Sequence, residues 1–169
     1  MLSFDIRSVE AEAAHVNDSL ANDDPVWQQD DPRPAGALHV TGRLSSAGSG
    51  RFFWSGHIEG SIRLECRRCL EPVTATVEDE TRLILAEAGD EEADDPDMFP
   101  LDPGARTIDL RPIIREQWLL NAPGFALCRE ECRGLCPGCG ADLNAAPCAC
   151  PPVADSRWAG LRSHASRPA

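Results

Sequence analysis

Eight cysteines fall in four close pairs, Cys66/Cys69, Cys128/Cys132, Cys136/Cys139 and Cys148/Cys150. Two thiolates a few residues apart can grip one metal ion, because a tight turn aims both sulfurs at a point about 2.3 Å from each. Eight sulfurs suffice for two closed four-thiolate sites, and a soft sulfur donor set points to zinc in each. The strongest local signal is Cys136-Pro137-Gly138-Cys139-Gly140. The turn after its first thiolate lets backbone N–H groups point at sulfur, and Gly140 permits the backbone conformation needed just past the second.

Two groupings are open. In the first, Cys136, Cys139, Cys148 and Cys150 close a local site, and Cys66, Cys69, Cys128 and Cys132 form another. In the second, Cys66/Cys69 join the Cys136/Cys139 knuckle as in a zinc ribbon, leaving the other four to share a site or stay free. The first is favoured because closing short loops costs less entropy. Cys148 and Cys150, in an Ala/Pro-rich stretch, could also be plain thiols.

A thioredoxin-like redox motif needs a βαβ setting, whereas Cys66 and Cys69 lie between two expected strands. Catalytic zinc needs three ligands and an open position, which a four-thiolate site lacks. His15, His39, His57 and His164 are scattered without motif spacing. Glycine-rich phosphate loops, a nucleophile elbow and HExxH are missing, so the sequence offers no catalytic site and no small-molecule substrate.

Disulfides are the rival use of paired cysteines, and compartment decides between them. The first ten residues carry acids and an arginine where a signal peptide needs an unbroken apolar run, and no run of 18 apolar residues for a membrane span occurs. The expectation is a cytoplasmic protein with reduced thiols. Its 28 acidic and 16 basic residues give a formal net charge of −12 over 169 residues. That excludes a uniformly basic nucleic-acid-binding surface but not a local basic patch. Every basic residue is arginine, as GC-rich coding favours, so lysine chemistry is excluded.

Stepping outward from the cysteines, Leu38, Val40 and Leu44 alternate, Ser46–Gly50 reads as a turn, and Phe53–Leu64 reads as a second strand with Ile58, Ile62 and Leu64 on one side. Val73, Ala75, Val77, Leu83 and Leu85 continue the pattern after Cys69. A helix is expected over about 109–121, with Pro112 in its first turn and Leu110, Ile113, Ile114 and Trp118 at helical spacing. Residues 86–97 hold seven carboxylates and read as a solvated loop. Near the N-terminus, Leu2, Phe4 and Ile6 suit a strand, and Asn22–Pro34 reads as irregular connection. Asp155 can cap a short helix bearing Trp158 and Leu161, with Arg157, Arg162 and Arg167 making that tail positive.

These signals describe an α+β protein: an antiparallel β-sheet or partly open barrel with few helices and a C-terminal cysteine-rich zinc module. The expected division is 1–36 as N-terminal strand and connection, 37–122 as β-rich core, and 123–169 as zinc module. Arg63, Arg67, Arg68, Arg129 and Arg133 flank the cysteines. They would either offset thiolate charge or form a phosphate-binding patch.

At these residues the chain resembles the YceD (DUF177) family of bacterial and plastid proteins needed for accumulation of large-subunit ribosomal RNA. The resemblance rests on Cys66-Arg67-Arg68-Cys69-Leu70, on Arg115-Glu116-Gln117, and above all on Cys132-Arg133-Gly134-Leu135-Cys136-Pro137-Gly138-Cys139-Gly140 followed by Leu143-Asn144. Asp155–Leu161 fits as well. It implies a non-enzymatic, cytoplasmic factor in large-subunit production whose partner is a ribosomal precursor, either its RNA or a basic ribosomal protein. The alternative is a thiol-redox or zinc-handling protein.

Overall fold

Strict alternation builds the central strands. Leu38, Val40 and Leu44 on β3 (Leu38–Gly48) and Phe52, Trp54, Ile58 and Ile62 on β4 (Arg51–Glu65) are all buried. Antiparallel register sets Val40 opposite Ile58 and Leu44 opposite Trp54, so one face of the pair is continuously apolar. The expected turn is shorter than the sequence suggests: β3 runs on to Gly48, and Gly48, Ser49 and Gly50 all have positive φ. These coordinates come from a computed structural model that describes residues 1–87, 98–151 and 157. Most of the acidic run (88–97) and the tail helix expected after Asp155, apart from Arg157, lie outside the described residues.

The chain divides into two compact units, one of Met1–Leu64 with Thr74–Gly124, the other of Glu65–Val73 with Phe125–Ala169. In the first, a five-stranded sheet has the order β2-β3-β4-β5-β6 and stays open. β2 (Ala14–Leu20) pairs antiparallel with β3, and β5 (Pro72–Glu87) lies beside β4 with Val77, Leu83 and Leu85 buried. β6 (Met98–Leu101) pairs in parallel with the end of β5, which makes the sheet mixed. β1 (Ser3–Asp5) and β7 (Thr107–Asp109) form a separate antiparallel ribbon. Among the described residues the fold is thus mostly β with two α-helices.

Helix α1 (Ile6–Ala11) starts at Asp5, whose side chain accepts a hydrogen bond from the Ser8 N–H at 3.2 Å. Helix α2 (Arg111–Asn121) carries Pro112 in its first turn, and Ile113, Ile114 and Trp118 face the core. The irregular segment before β3 is held by side chains: Trp27 donates to the Ala21 carbonyl at 2.8 Å and Trp118 to that of Pro32. Arg115 grips Asp31 with two bonds, Nε to Oδ2 at 2.6 Å and Nη2 to Oδ1 at 2.8 Å. That bidentate hydrogen bonding from Arg115 outweighs partial burial and holds the Asp31 carboxyl below the usual carboxylate range.

Two glycines make room for a buried tryptophan ring. Gly42 and Gly56 face each other across β3 and β4, and Trp54 folds over both. A Cβ on Gly56 would meet Trp54 Cζ2 at 2.1 Å, and one on Gly42 would meet the Ser55 carbonyl at 2.5 Å.

Gly56→Ala is therefore expected to lower the unfolding free energy by about 1–3 kcal/mol in urea denaturation. Gly36→Ala, whose added Cβ meets nothing within 4 Å, should stay within about 0.5 kcal/mol of wild type. Because the folded Asp31 carboxyl titrates below its unfolded value, its contribution is present at neutral pH and lost as pH falls through the depressed folded value. Asp31→Asn should cost about 1.5–3 kcal/mol at neutral pH, and the difference from wild type should shrink in acid.

Candidate metal centre

All eight cysteines lie in the second unit, and their sulfurs gather into two groups of four: Cys66, Cys69, Cys128 and Cys132, and Cys136, Cys139, Cys148 and Cys150. Within each group the four sulfurs lie within 4.8 Å of one another. This is the local grouping; the ribbon-like alternative, with Cys66/Cys69 joined to Cys136/Cys139, is not the one the sulfurs adopt. Cys66 Sγ is 3.8 Å from Cys132 Sγ, Cys69 Sγ is 3.6 Å from Cys128 Sγ, and Cys136 Sγ is 3.2 Å from Cys148 Sγ. None of the eight is in a disulfide, and these separations far exceed a sulfur–sulfur bond of about 2.05 Å. Four sulfurs about 2.3 Å from one zinc would stand roughly 3.8 Å apart at tetrahedral angles, so both donor sets fit such an ion.

The same local fold presents the first sulfur of each group. At Cys66 the N–H donates to the Glu71 carbonyl at 2.8 Å and the Leu70 N–H donates back to the Cys66 carbonyl at 2.8 Å. At Cys136 the N–H donates to Ala141 and the Gly140 N–H to Cys136, again at 2.8 Å each. Both turns need a left-handed residue just after the second cysteine. Gly140 takes φ 72° without strain, whereas Leu70 is held there at φ 63°.

Backbone N–H groups aimed at sulfur lower Cys66 and Cys132 in the first group and Cys136 in the second. Burial pushes the Cys66 thiol up, but N–H donation from Cys128, Arg68 and Cys69 outweighs it and brings the group down to about 6. Donation from the Cys148 thiol, then from the Gly138 and Cys139 N–H groups, brings Cys136 down to about 6; the Gly138 nitrogen is 3.4 Å from its sulfur. Cys69, Cys128, Cys148 and Cys150 respond in the opposite sense. Cys150 rises to about 11, first through Cys139 and then Cys136, because neighbouring sulfurs resist a second negative charge. A bound cation would remove that conflict.

The groups differ in burial. Cys66, Cys69 and Cys132 are buried with Val73, Leu127 and Leu135 packed against them, whereas only Cys136 is buried in the second group, with Cys139 and Cys150 exposed. Asn144 ties the first group to its loop. Its Nδ2 lies 3.5 Å from Cys132 Sγ and its Oδ1 accepts from the Arg133 N–H at 2.8 Å. The Leu143-Asn144 string marked this residue, but nothing in cysteine spacing gives it a role.

Of the arginines flagged by sequence, Arg63 is exposed on β4 in the first unit and the other four belong to the second. Arg68 donates through Nη1 to the carbonyls of Glu130 at 3.0 Å and Cys132 at 2.9 Å, clamping the two ligand-bearing segments. The Leu135 N–H returns a bond to the Arg68 carbonyl at 3.0 Å, where Gly134, at φ 73°, leaves no room for a Cβ. Arg67 lies over the ring of Phe125, its guanidinium carbon 4.7 Å from the centroid. Phe125 carries no motif, and sequence spacing alone does not mark it. Arg129 and Arg133 are exposed.

Uncharacterized proteins of Mycobacterium bovis and Mycobacterium tuberculosis are each 35% identical to the chain over 100 residues, 57% of this chain and 47% of theirs. The large ribosomal RNA subunit accumulation protein YCED homolog 1, chloroplastic, of Zea mays is 29% identical over 132 residues, 61% of this chain and 45% of that protein. The chain thus spans less than half the length of the relatives it matches. No solved structure matches it. The family model described as large ribosomal RNA subunit accumulation protein YceD matches residues 54–163, a stretch that includes all eight cysteines and most of the chain, and the chain belongs to that family.

Proposed function

We propose that this chain is a non-enzymatic factor that supports accumulation of large-subunit ribosomal RNA, with one structural zinc ion in each cysteine group. The observation that carries this reading is the closure of both groups by four sulfurs within the family-matched region. Zinc held by four thiolates has no open position for a substrate or water, so it supports a scaffold and not a reaction centre. Cys66, Cys69, Cys128 and Cys132 would hold one ion, and Cys136, Cys139, Cys148 and Cys150 the other. The cytoplasm, which keeps thiols reduced, suits this use of cysteine.

A ribosomal precursor is the partner in this reading, and charge separates the surfaces it could meet. The first unit holds 22 acids against nine arginines, the second six acids against seven arginines. The first therefore suits a basic ribosomal protein; the second, even with the −4 that two zinc–tetrathiolate centres would add, is far less acidic, and its exposed Arg129 and Arg133 suit RNA phosphates. The rival reading of thiol redox or zinc handling draws on the exposed Cys139 and Cys150. Tightly held metal with no reversible disulfide separates the scaffold from it.

Metal analysis of the purified chain should find two zinc ions. A chelator should remove them in two phases of equal size, the fast one from the exposed group. Cys136→Ser should abolish the fast phase and leave one ion bound, since structural zinc contributes about 10–16 kcal/mol of apparent folding energy where it binds. A single phase, or two ions in that variant, contradicts the assignment. In cells, depletion should lower large-subunit RNA relative to small-subunit RNA, and wild-type chain should restore it; an unchanged ratio would dispose of the ribosomal reading.

A further inference from the structure

Phe125 is 62% exposed although the guanidinium of Arg67 covers one side of its ring. The remaining exposure belongs to the other side and the edge. The pair is mounted on both ligand-bearing segments, with Arg67 next to Cys66 and Phe125 three residues before Cys128. A bond from the Arg67 N–H to the Ala126 carbonyl at 3.0 Å, within a parallel bridge of Cys66 and Ala126, fixes the two backbones together. An aromatic ring backed by a cation and held on pinned backbone is preorganised for stacking.

We propose that the Arg67–Phe125 pair is a stacking platform for an unpaired RNA base, with exposed Arg129 and Arg133 serving the flanking phosphates. Unpaired bases stack on phenylalanine and arginine planes, while a duplex hides its bases from such a platform. The surroundings favour RNA over protein. Among the described residues of the second unit the large exposed apolar side chains are Phe125 and Leu70, and Phe125 stands against the Arg67 guanidinium, a pairing that suits a nucleobase. With two zinc–tetrathiolate centres counted the unit is only weakly acidic, and its exposed Arg129 and Arg133 permit the approach of a phosphate backbone that the strongly acidic first unit would repel.

This inference rests on the RNA-linked reading above, and its test is separate. The zinc-loaded full chain is titrated against a fluorescein-labelled, mixed-sequence single-stranded oligoribonucleotide and against the matching duplex, with anisotropy as readout. The single strand should bind more tightly. Phe125→Leu should weaken it about 5- to 150-fold, the loss expected for one stacked base, with two zinc ions and the melting midpoint retained; Phe125→Trp should preserve it. Equal affinity of wild type and Phe125→Leu, equal binding of duplex, or no binding overturns the platform. So does a Phe125→Leu chain that keeps RNA affinity but loses basic ribosomal proteins, which would make the ring a protein contact. If depletion lowers large-subunit RNA and Phe125→Leu restores it fully, the platform falls while the ribosomal reading stands.

Discussion

Four sulfurs cannot sit within 4.8 Å of one another in a protein interior without something to reconcile them. Each thiolate gained makes the next harder: against a lowering bond from the Glu71 N–H, burial and then the neighbouring sulfurs push Cys69 up to about 12, while Cys66 is brought down to about 6. The rest of the second unit depends on its resolution. Among its described residues the apolar cluster comprises three buried cysteines with Val73, Leu127 and Leu135, a small core for which, in the proposed reading, sulfur–metal bonds would substitute.

The two sulfur groups share one backbone scheme yet occupy different environments. Burial of three of its four cysteines, the Arg68 clamp and the Asn144 contact make the first group the joint that unites residues 65–73 with the segment after 124. The second organises a single stretch and leaves two of its thiols exposed. Identical turn chemistry therefore supports a deep fastening in one place and a shallow one in the other.

Much of this arrangement was legible in the residues. Cysteine spacing and the cost of loop closure singled out the sulfur grouping that the structure adopts. Alternation identified β3, β4 and β5 because one face of each is buried, and Pro112 with Ile113, Ile114 and Trp118 identified α2. β2 escaped because Val16 and Leu20 are its only buried side chains; its conformation comes from pairing with β3, which a local pattern cannot express. The anchoring of the irregular segment escaped for the same reason, since Arg115 and Asp31 are 84 positions apart. Phe125 gives no periodic signal at all, and its significance arises only from Arg67 lying across it.

The first sulfur group joins residues 66 and 132, and the intervening chain contains β5, β6, β7 and α2. During synthesis, Cys66 and Cys69 emerge long before Cys128 and Cys132 exist to meet them. The early pair must wait without its partner sulfurs while the remainder of the first unit is translated. Completion of this joint thus reports that the sheet-bearing polypeptide has been made in full, so a prematurely terminated chain would lack the surface built upon it.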